Sequence, residues 1–302
     1  MLNRVHRRSR SRRVIDRFMV RPCLPGVQKQ GRTVDTFALI TLRCILPRVT
    51  LSVVLITHNE ERNLPRTLES VMPLVRDGKG ELIVLDSGST DRTLEIAQFY
   101  GAKVFVETWK GFAGQKNSAI DKASMDWVLQ LDADEALDPE LAREIEQALK
   151  ADSAIKGFWI PRKNFFLGRW IRHGGFYPDP KLRLARRGAG RFEECGAHPT
   201  MKVSGPTGTF SHAMLHTAYP TLRGYIDHMN SYSSMGAEVA AAQGRRGFSF
   251  ADIVIRPALT FVYNYFIRLG FLDGREGLLL HLYHSVYVSW KYAKVWELER
   301  KK

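Results

Sequence analysis

Four short apolar runs, each ending in polar or acidic residues, alternate with amphipathic stretches between Leu51 and Glu135. The runs are Leu51-Ser-Val-Val-Leu-Ile56, Glu81-Leu-Ile-Val-Leu85, Ala102-Lys-Val-Phe-Val106 and the stretch from Trp127 to Leu131. Runs of this length bounded by turn residues are buried-type strands. After the loop Thr57-His58-Asn59-Glu60, a helix carries Leu64, Leu68, Val71, Met72 and Val75 on one face. A second helix turns Leu94 and Ala97 inward, with Asp91 as its cap, and Gly111 to Ser124 is a loop followed by a helix. Strands that alternate with helices imply right-handed crossovers and a mostly parallel sheet. The polar strand ends then gather along one rim, where open α/β sheets place ligands.

The fourth run is the most informative. Val128, Leu129 and Leu131 suit a buried strand, which delivers Asp132 and Asp134 to its carboxyl end. Carboxylates two residues apart at such an end can share one hard cation. The bland alternative is a solvated acidic turn ahead of the helix that Asp138-Pro139 begins, with Leu141, Ile145 and Leu149 on one face. Asp86 follows four apolar residues directly, an expensive place for a carboxylate unless it binds something such as a nucleobase edge or a sugar hydroxyl.

The chain has 302 residues, 44% hydrophobic and 25% charged, enough for a real core. Its formal charge of +14 is uneven, because residues 1–48 hold about twelve Arg and Lys against two acids. That tail lacks periodicity and is expected to be disordered. It is either an over-extended start or a basic arm for anionic lipid. Without interleaved aromatics it does not resemble a nucleic-acid binder. Cys23, Cys44 and Cys195 have no metal spacing and form no disulfide framework, which fits a reducing cytoplasm. No secretory signal or uninterrupted membrane-spanning run is visible.

Beyond residue 150 the alternation fades. Gly157 to Ile160 reads as a strand, Arg162 to His198 as loop-rich, basic and aromatic, and Met201 to Val203 and Thr209-Phe210 as short strands. Tyr219 to Ala242 reads as a helix. From Arg256 onward the chain is aromatic and basic. Tyr283, Tyr287 and Trp290 recur at helical spacing beside Arg256, Arg268, Arg275, Lys291 and Lys294, as in a helix lying on an anionic membrane. The same spacing also suits a core.

Four stretches in this order, Ile56-Thr-His-Asn-Glu-Glu61, Val84-Leu-Asp-Ser-Gly-Ser-Thr-Asp91, Gly111-Phe-Ala-Gly-Gln-Lys-Asn117 and Leu129-Gln-Leu-Asp-Ala-Asp-Glu135, resemble a family-2 glycosyltransferase of the GT-A fold. Arg162-Lys-Asn-Phe-Phe-Leu-Gly168, Gly175-Phe-Tyr-Pro-Asp-Pro180, Leu182-Arg-Leu184, His216 through Tyr232 and Phe271-Leu-Asp-Gly274 look like the branch that builds lipopolysaccharide cores. The resemblance implies a Rossmann-like, mostly parallel sheet flanked by helices over residues 49–217. A helical aromatic and basic extension over 218–302, of a kind suited to membrane association, would follow the tail 1–48 and that domain.

The same resemblance implies an inverting transfer from a nucleotide-diphospho-sugar to a lipid-linked glycan or lipopolysaccharide core. It implies Mg²⁺ or Mn²⁺ as cofactor and a place on the cytoplasmic face of the membrane. Thr57, Asn59 and Glu60 fall where the first loop touches the nucleoside, Asp86 where a carboxylate reads the base, and Lys116 and Asp132 on the nucleotide side. Asp134 falls at the metal-ligand position, and His216 is a candidate second ligand against the alternative of a core histidine. Arg183 and Arg186 face either diphosphate or solvent. The branch is expected to place an acid after a His near position 199, but this chain has Ala197-His198-Pro199. Glu194 and Glu193 are the substitutes expected for the base, with Asp179 next. The departure also leaves open a non-catalytic protein of the same fold that binds nucleotide-sugar or membrane.

Overall fold

The structure is a computed structural model that describes residues 50–151, 153–193 and 199–300. The expected tail therefore lies outside the described residues. Strands β1 (Leu51–Thr57), β2 (Gly80–Asp86), β3 (Lys103–Val106) and β4 (Trp127–Asp132) form a parallel half-sheet in the order β3-β2-β1-β4. Helices α1 (Leu64–Val75), α2 (Thr93–Phe99) and α3 (Gly111–Asp121) make the crossovers. Leu51, Val53, Leu55, Leu129 and Leu131 point to one face, where Leu64, Leu68 and Val71 of α1 cover them. Val54, Ile83, Leu85 and Val128 point to the other, against Ala119 and Ile120 of α3. Alternation along β1, β2 and β4 thus buries both faces, which is why these runs are apolar, whereas the edge strand β3 is largely exposed.

β4 is followed by β5 (Glu135–Leu137) and α4 (Pro139–Lys150), whose N-cap Asp138 accepts from the Glu140 N–H at 3.2 Å. Leu141, Ile145 and Leu149 are buried, as the spacing predicts. The segment 162–198 differs from the loop-rich expectation. After β6 (Gly157–Ile160) come β7 (Arg162–Phe166), β8 (Arg169–Trp170), β9 (Lys181–Arg186) and β10 (Gly190–Glu193), the last paired with β11 (Thr200–Val203). These strands carry inward-facing charges, which mask the apolar signature. β9 runs antiparallel to both β4 and β6, and β12 (Thr207–Thr209) closes the seven-stranded sheet beyond β6.

A second sheet has the order β5-β13-β7-β8, with β13 spanning Met214–Tyr219. Tyr219 therefore ends a strand instead of opening a helix. The helix α5 (Leu222–Ala242) starts after Thr221, whose hydroxyl accepts from the Gly224 N–H. A helical stretch from Ala251 to Ile267 contains α6 (Arg256–Val262) between two π-turns, and α7 (Gly274–Arg300) ends the described chain. Ala237 and Ala240 of α5 pack on Val295 of α7. No helix among the described residues is long and apolar enough to cross a membrane.

At the amino-terminal edge of the large sheet sits a buried carboxylate, Glu81. It accepts from the Ser52 hydroxyl at 2.6 Å, from the Ser124 N–H at 2.7 Å and from Lys103 at 2.7 Å. Burial alone would raise its pKa; the Lys103 ammonium and these hydrogen bonds hold it at about 2 instead. A folded-state pKa below the unfolded value gives stability that is present at neutral pH and lost as pH falls toward the folded value. The stability of Glu81→Gln, followed by chemical denaturation, should accordingly lose less between pH 5 and about 2 than the parent does, starting from a lower value at pH 7.

Candidate active site

Strand register builds the rim. Ile56 pairs with Asp132 and Thr57 with Asp86, so the carboxyl ends of β1, β2 and β4 lie level. The strand order reverses between β2-β1 and β4, where open α/β sheets leave a crevice. A cleft of ≈ 1090 Å³ opens there, with Thr57, Glu60, Lys116, Asp132, Asp134 and His216 among its walls.

Asp132 is clamped on both oxygens. Lys116 lies 2.6 Å from Oδ1 and the Gln130 amide donates to the same oxygen at 3.1 Å, while Arg183 lies 2.6 Å from Oδ2. Arg183 also reaches Glu135 at 2.8 Å and Gln130 Oε1 at 2.5 Å, so it is a buried linchpin and no solvated side chain. Glu135 accepts from the Asp132 N–H at 3.0 Å and pairs with Arg162, which in turn pairs with Asp179 at 2.6 Å. Burial would raise the Asp132 pKa, but Arg183 and Lys116 push it well below the carboxylate range. Burial lowers that of Lys116, with Asp132 opposing. Arg186 lies elsewhere: it stacks over Trp127 and donates to the carbonyls of Ser153 and Ile155.

Asp134 and His216 face each other across the two sheets, Nε2 to Oδ2 at 3.3 Å. His216 lies in register between Glu135 and Asn164. Its Nδ1 is 2.7 Å from Asn164 Oδ1, and the Asn164 amide nitrogen donates to Phe176 O and to Asp179 Oδ2. Asn164 Oδ1 must then accept, so Nδ1 carries a proton and Nε2 is the ring nitrogen turned toward Asp134. Burial would raise the Asp134 pKa; His216 brings it below the usual value. Among the described residues no three His, Cys, Asp or Glu side chains are placed to hold a metal. Asp134 and His216 form a pair whose spacing suits two ligands of one divalent cation at about 2.1 Å each. A substrate diphosphate and water would have to complete the shell, which matches how Mg²⁺ is usually held.

The nucleoside-side candidates form one knot. Asp86 accepts from the hydroxyls of Thr57 and Ser89 and from the N–H groups of Gly88 and Ser89, all within 2.8 Å. These internal bonds account for its burial, and its neighbour Ser87 is the residue that borders the cleft. Asn59, at φ +56°, accepts from the Thr90 N–H and donates its own N–H to Ser89. Glu60 lines the cleft, its pKa raised by burial and by Asp134, Asp91 and Asp132 despite a bond from Asn63. Asp91 caps α2 by accepting from the Thr93 N–H.

The three expected base candidates part company. Asp179 is held at about 2: burial raises it, but Arg162 and Lys181 outweigh that. Glu193 is exposed at the end of β10, next to Phe192, which lines the cleft and sits under Lys116. Glu194 lies outside the described residues. Gln130, Glu135, Arg162 and Asn164 were not anticipated. A polar Gln inside an otherwise apolar strand was the available signal for the first of them.

The Glycosyl transferase family 2 model matches residues 52–207, just over half of the chain. The chain is 28% identical over 260 residues to the lipopolysaccharide core biosynthesis glycosyltransferase LpsC of Rhizobium meliloti (strain 1021), covering 84% of this chain and 94% of that one. It is 45% identical over 259 residues to an uncharacterized glycosyltransferase of Rickettsia bellii (strain RML369-C), covering 82% and 86%. Among solved structures it is similar to the mannosyltransferase PcManGT of Pyrobaculum calidifontis, at 17% identity and TM-score 0.49 over 83% of this chain and 88% of that chain. With a family match of that extent and a relative of that identity covered over most of its length, the chain belongs to glycosyl transferase family 2 and is a glycosyltransferase.

Proposed function

We propose that this glycosyltransferase moves a sugar, with inversion, from a nucleotide-diphospho-sugar to a lipid-linked glycan of the lipopolysaccharide-core kind, and that it requires Mg²⁺ or Mn²⁺. The observation that carries the reading is the Asp134–His216 pair at 3.3 Å, with a proton on the far ring nitrogen. Charge balance singles it out. Asp132, Glu135 and Asp179 are each matched by Lys116, Arg183 or Arg162, whereas Asp134 has no Lys or Arg ion pair among the described residues and faces His216. A bound divalent cation would there stabilise charge on the departing diphosphate.

The chain's own groups divide the remaining work. The loops bearing Thr57, Asn59, Glu60 and Asp86 receive the nucleoside, with Asp86 shaping its loop from below the cleft floor. Lys116 and Arg183, anchored by Asp132, present positive charge to the phosphates. The acceptor hydroxyl must lose a proton as it attacks the anomeric carbon. Asp179 is held ionised by two cations and is a weak base, and Glu193 neighbours the cleft-facing Phe192 on the opposite side of the strand. Glu194, next to Glu193 in the sequence, is the base proposed here. Similarity to LpsC supports the acceptor class, and with such an acceptor the enzyme would work peripherally at the cytoplasmic face of the membrane.

The decisive assay follows nucleoside diphosphate release from a panel of donors with Mn²⁺ or Mg²⁺, with and without membrane extract. Asp134→Ala should lower turnover by about a thousandfold; an unimpaired variant would reject the metal role. Glu194→Gln should cut kcat by about 10²–10⁴-fold while leaving the donor KM in place. Asn164→Leu frees the tautomer of His216, and Mn²⁺ affinity measured by paramagnetic resonance in the presence of nucleoside diphosphate should weaken by about 10–100-fold.

A further inference from the structure

The helical stretch Ala251–Ile267 has two unlike faces. Its inner face buries Asp252 and Pro257, and Ser289 of α7 donates to the Ile253 carbonyl at 2.8 Å. Its outer face carries Ile255, Leu259, Val262, Tyr263, Phe266 and Ile267, which recur at helical spacing, with Leu259 and Ile267 62% and 67% exposed. Of the 21 exposed large apolar side chains among the described residues, twelve fall between Phe248 and Leu272. Exposed apolar area is thus concentrated in one segment and not scattered singly, the pattern of an interaction surface. A groove of ≈ 730 Å³ lined by Ile255, Leu259, Val262 and Tyr263 runs along it.

The charges along this stretch are predominantly basic. Between Arg245 and Arg275 the only acids are Asp252 and Asp273. Both are buried, the first paired with Arg245 and Arg256 and the second with His173. Arg245, Arg246, Arg256, Arg268 and Arg275 are exposed. An apolar stripe framed by guanidinium groups matches an anionic bilayer surface, whose acyl boundary takes the stripe and whose phosphates take the arginines. A second copy would set arginines against arginines. The stretch is about 25 Å long, short of the roughly 30 Å hydrocarbon core.

We propose that this face docks the enzyme on an anionic lipid bilayer, with Ala251–Ile267 lying in the headgroup–acyl boundary. It is wired to the cleft. Asp273 accepts from the N–H groups of Arg172 and His173 and pairs with the His173 ring at 3.0 Å. Gly174 donates to the Arg268 carbonyl at 2.9 Å. At φ +65° Gly174 has no room for a Cβ, which would fall 1.9 Å from the His281 ring. The same loop runs on to Asp179 and its ion pair with Arg162 in the cleft wall. Docking would therefore hold the cleft at a set height above the lipid. The purpose of the face rests on the lipid-linked acceptor proposed above; the binding itself does not.

The test uses the full chain and no donor or acceptor. Co-sedimentation is measured with vesicles of phosphatidylglycerol and phosphatidylethanolamine and with vesicles of phosphatidylcholine. Each is run at low salt and at about 0.5 M NaCl, which screens attraction due to the basic residues 1–48 alone. The parent should bind the anionic vesicles preferentially and stay partly bound in high salt. Leu259→Glu combined with Ile267→Glu should lower the high-salt partition at least about tenfold, and the double alanine variant should fall between. Melting temperature and nucleoside diphosphate binding should not change. The proposal is overturned if the parent stays in solution, if it binds phosphatidylcholine equally, or if the glutamate variant binds like the parent. It is also overturned if sedimentation equilibrium without vesicles shows self-association that the variant loses. None of these outcomes bears on sugar transfer, which the donor assay judges separately.

Discussion

The buried guanidinium of Arg183 holds the site together. It comes from β9, the first antiparallel neighbour of the parallel half-sheet, and it meets Gln130 and Asp132 of β4 and Glu135 of β5. A cation in the interior needs opposite charge beside it, and removing one partner strands the others. Asp132, Glu135, Lys116 and Arg162 are all matched through this network. The large sheet and the second sheet therefore share one set of charges at their junction. The geometry of the cleft depends on that junction more than on any loop around it.

Much of the first half was legible in the sequence because burial on both faces makes parallel strands apolar throughout. Leu51–Thr57, Gly80–Asp86 and Trp127–Asp132 form where the runs predict. Their level ends follow from the register. The second half was less legible for the converse reason. Arg162, Lys163, Lys181, Arg183 and Arg186 sit in strands β7 and β9, and a run with charges at such positions looks like loop. Arg183 is satisfied by Asp132 and Glu135, and no local pattern announces a partner about fifty residues away.

Asp86 teaches a related lesson. A carboxylate after four apolar residues needs compensation, and the sequence suggested a ligand. The loop that follows already supplies three hydrogen bonds, and Thr57 of β1 supplies a fourth. Burial of a charge predicts that partners exist, not which ones. His216 shows the opposite case. Its neighbour Asn164 comes from a sheet pairing that is invisible in the sequence, yet it fixes a proton on Nδ1 of the ring.

The Glu81 cluster has a consequence for how such an enzyme can diversify. Ser52 and Thr57 stand at opposite ends of β1, about 17 Å apart along the strand. The cluster with Lys103 and Ser124 belongs to one end and the cleft to the other. Acid tolerance and thermal resistance can thus drift in one region while substrate preference is reshaped in the other. A lineage moving to a new habitat need not trade one against the other.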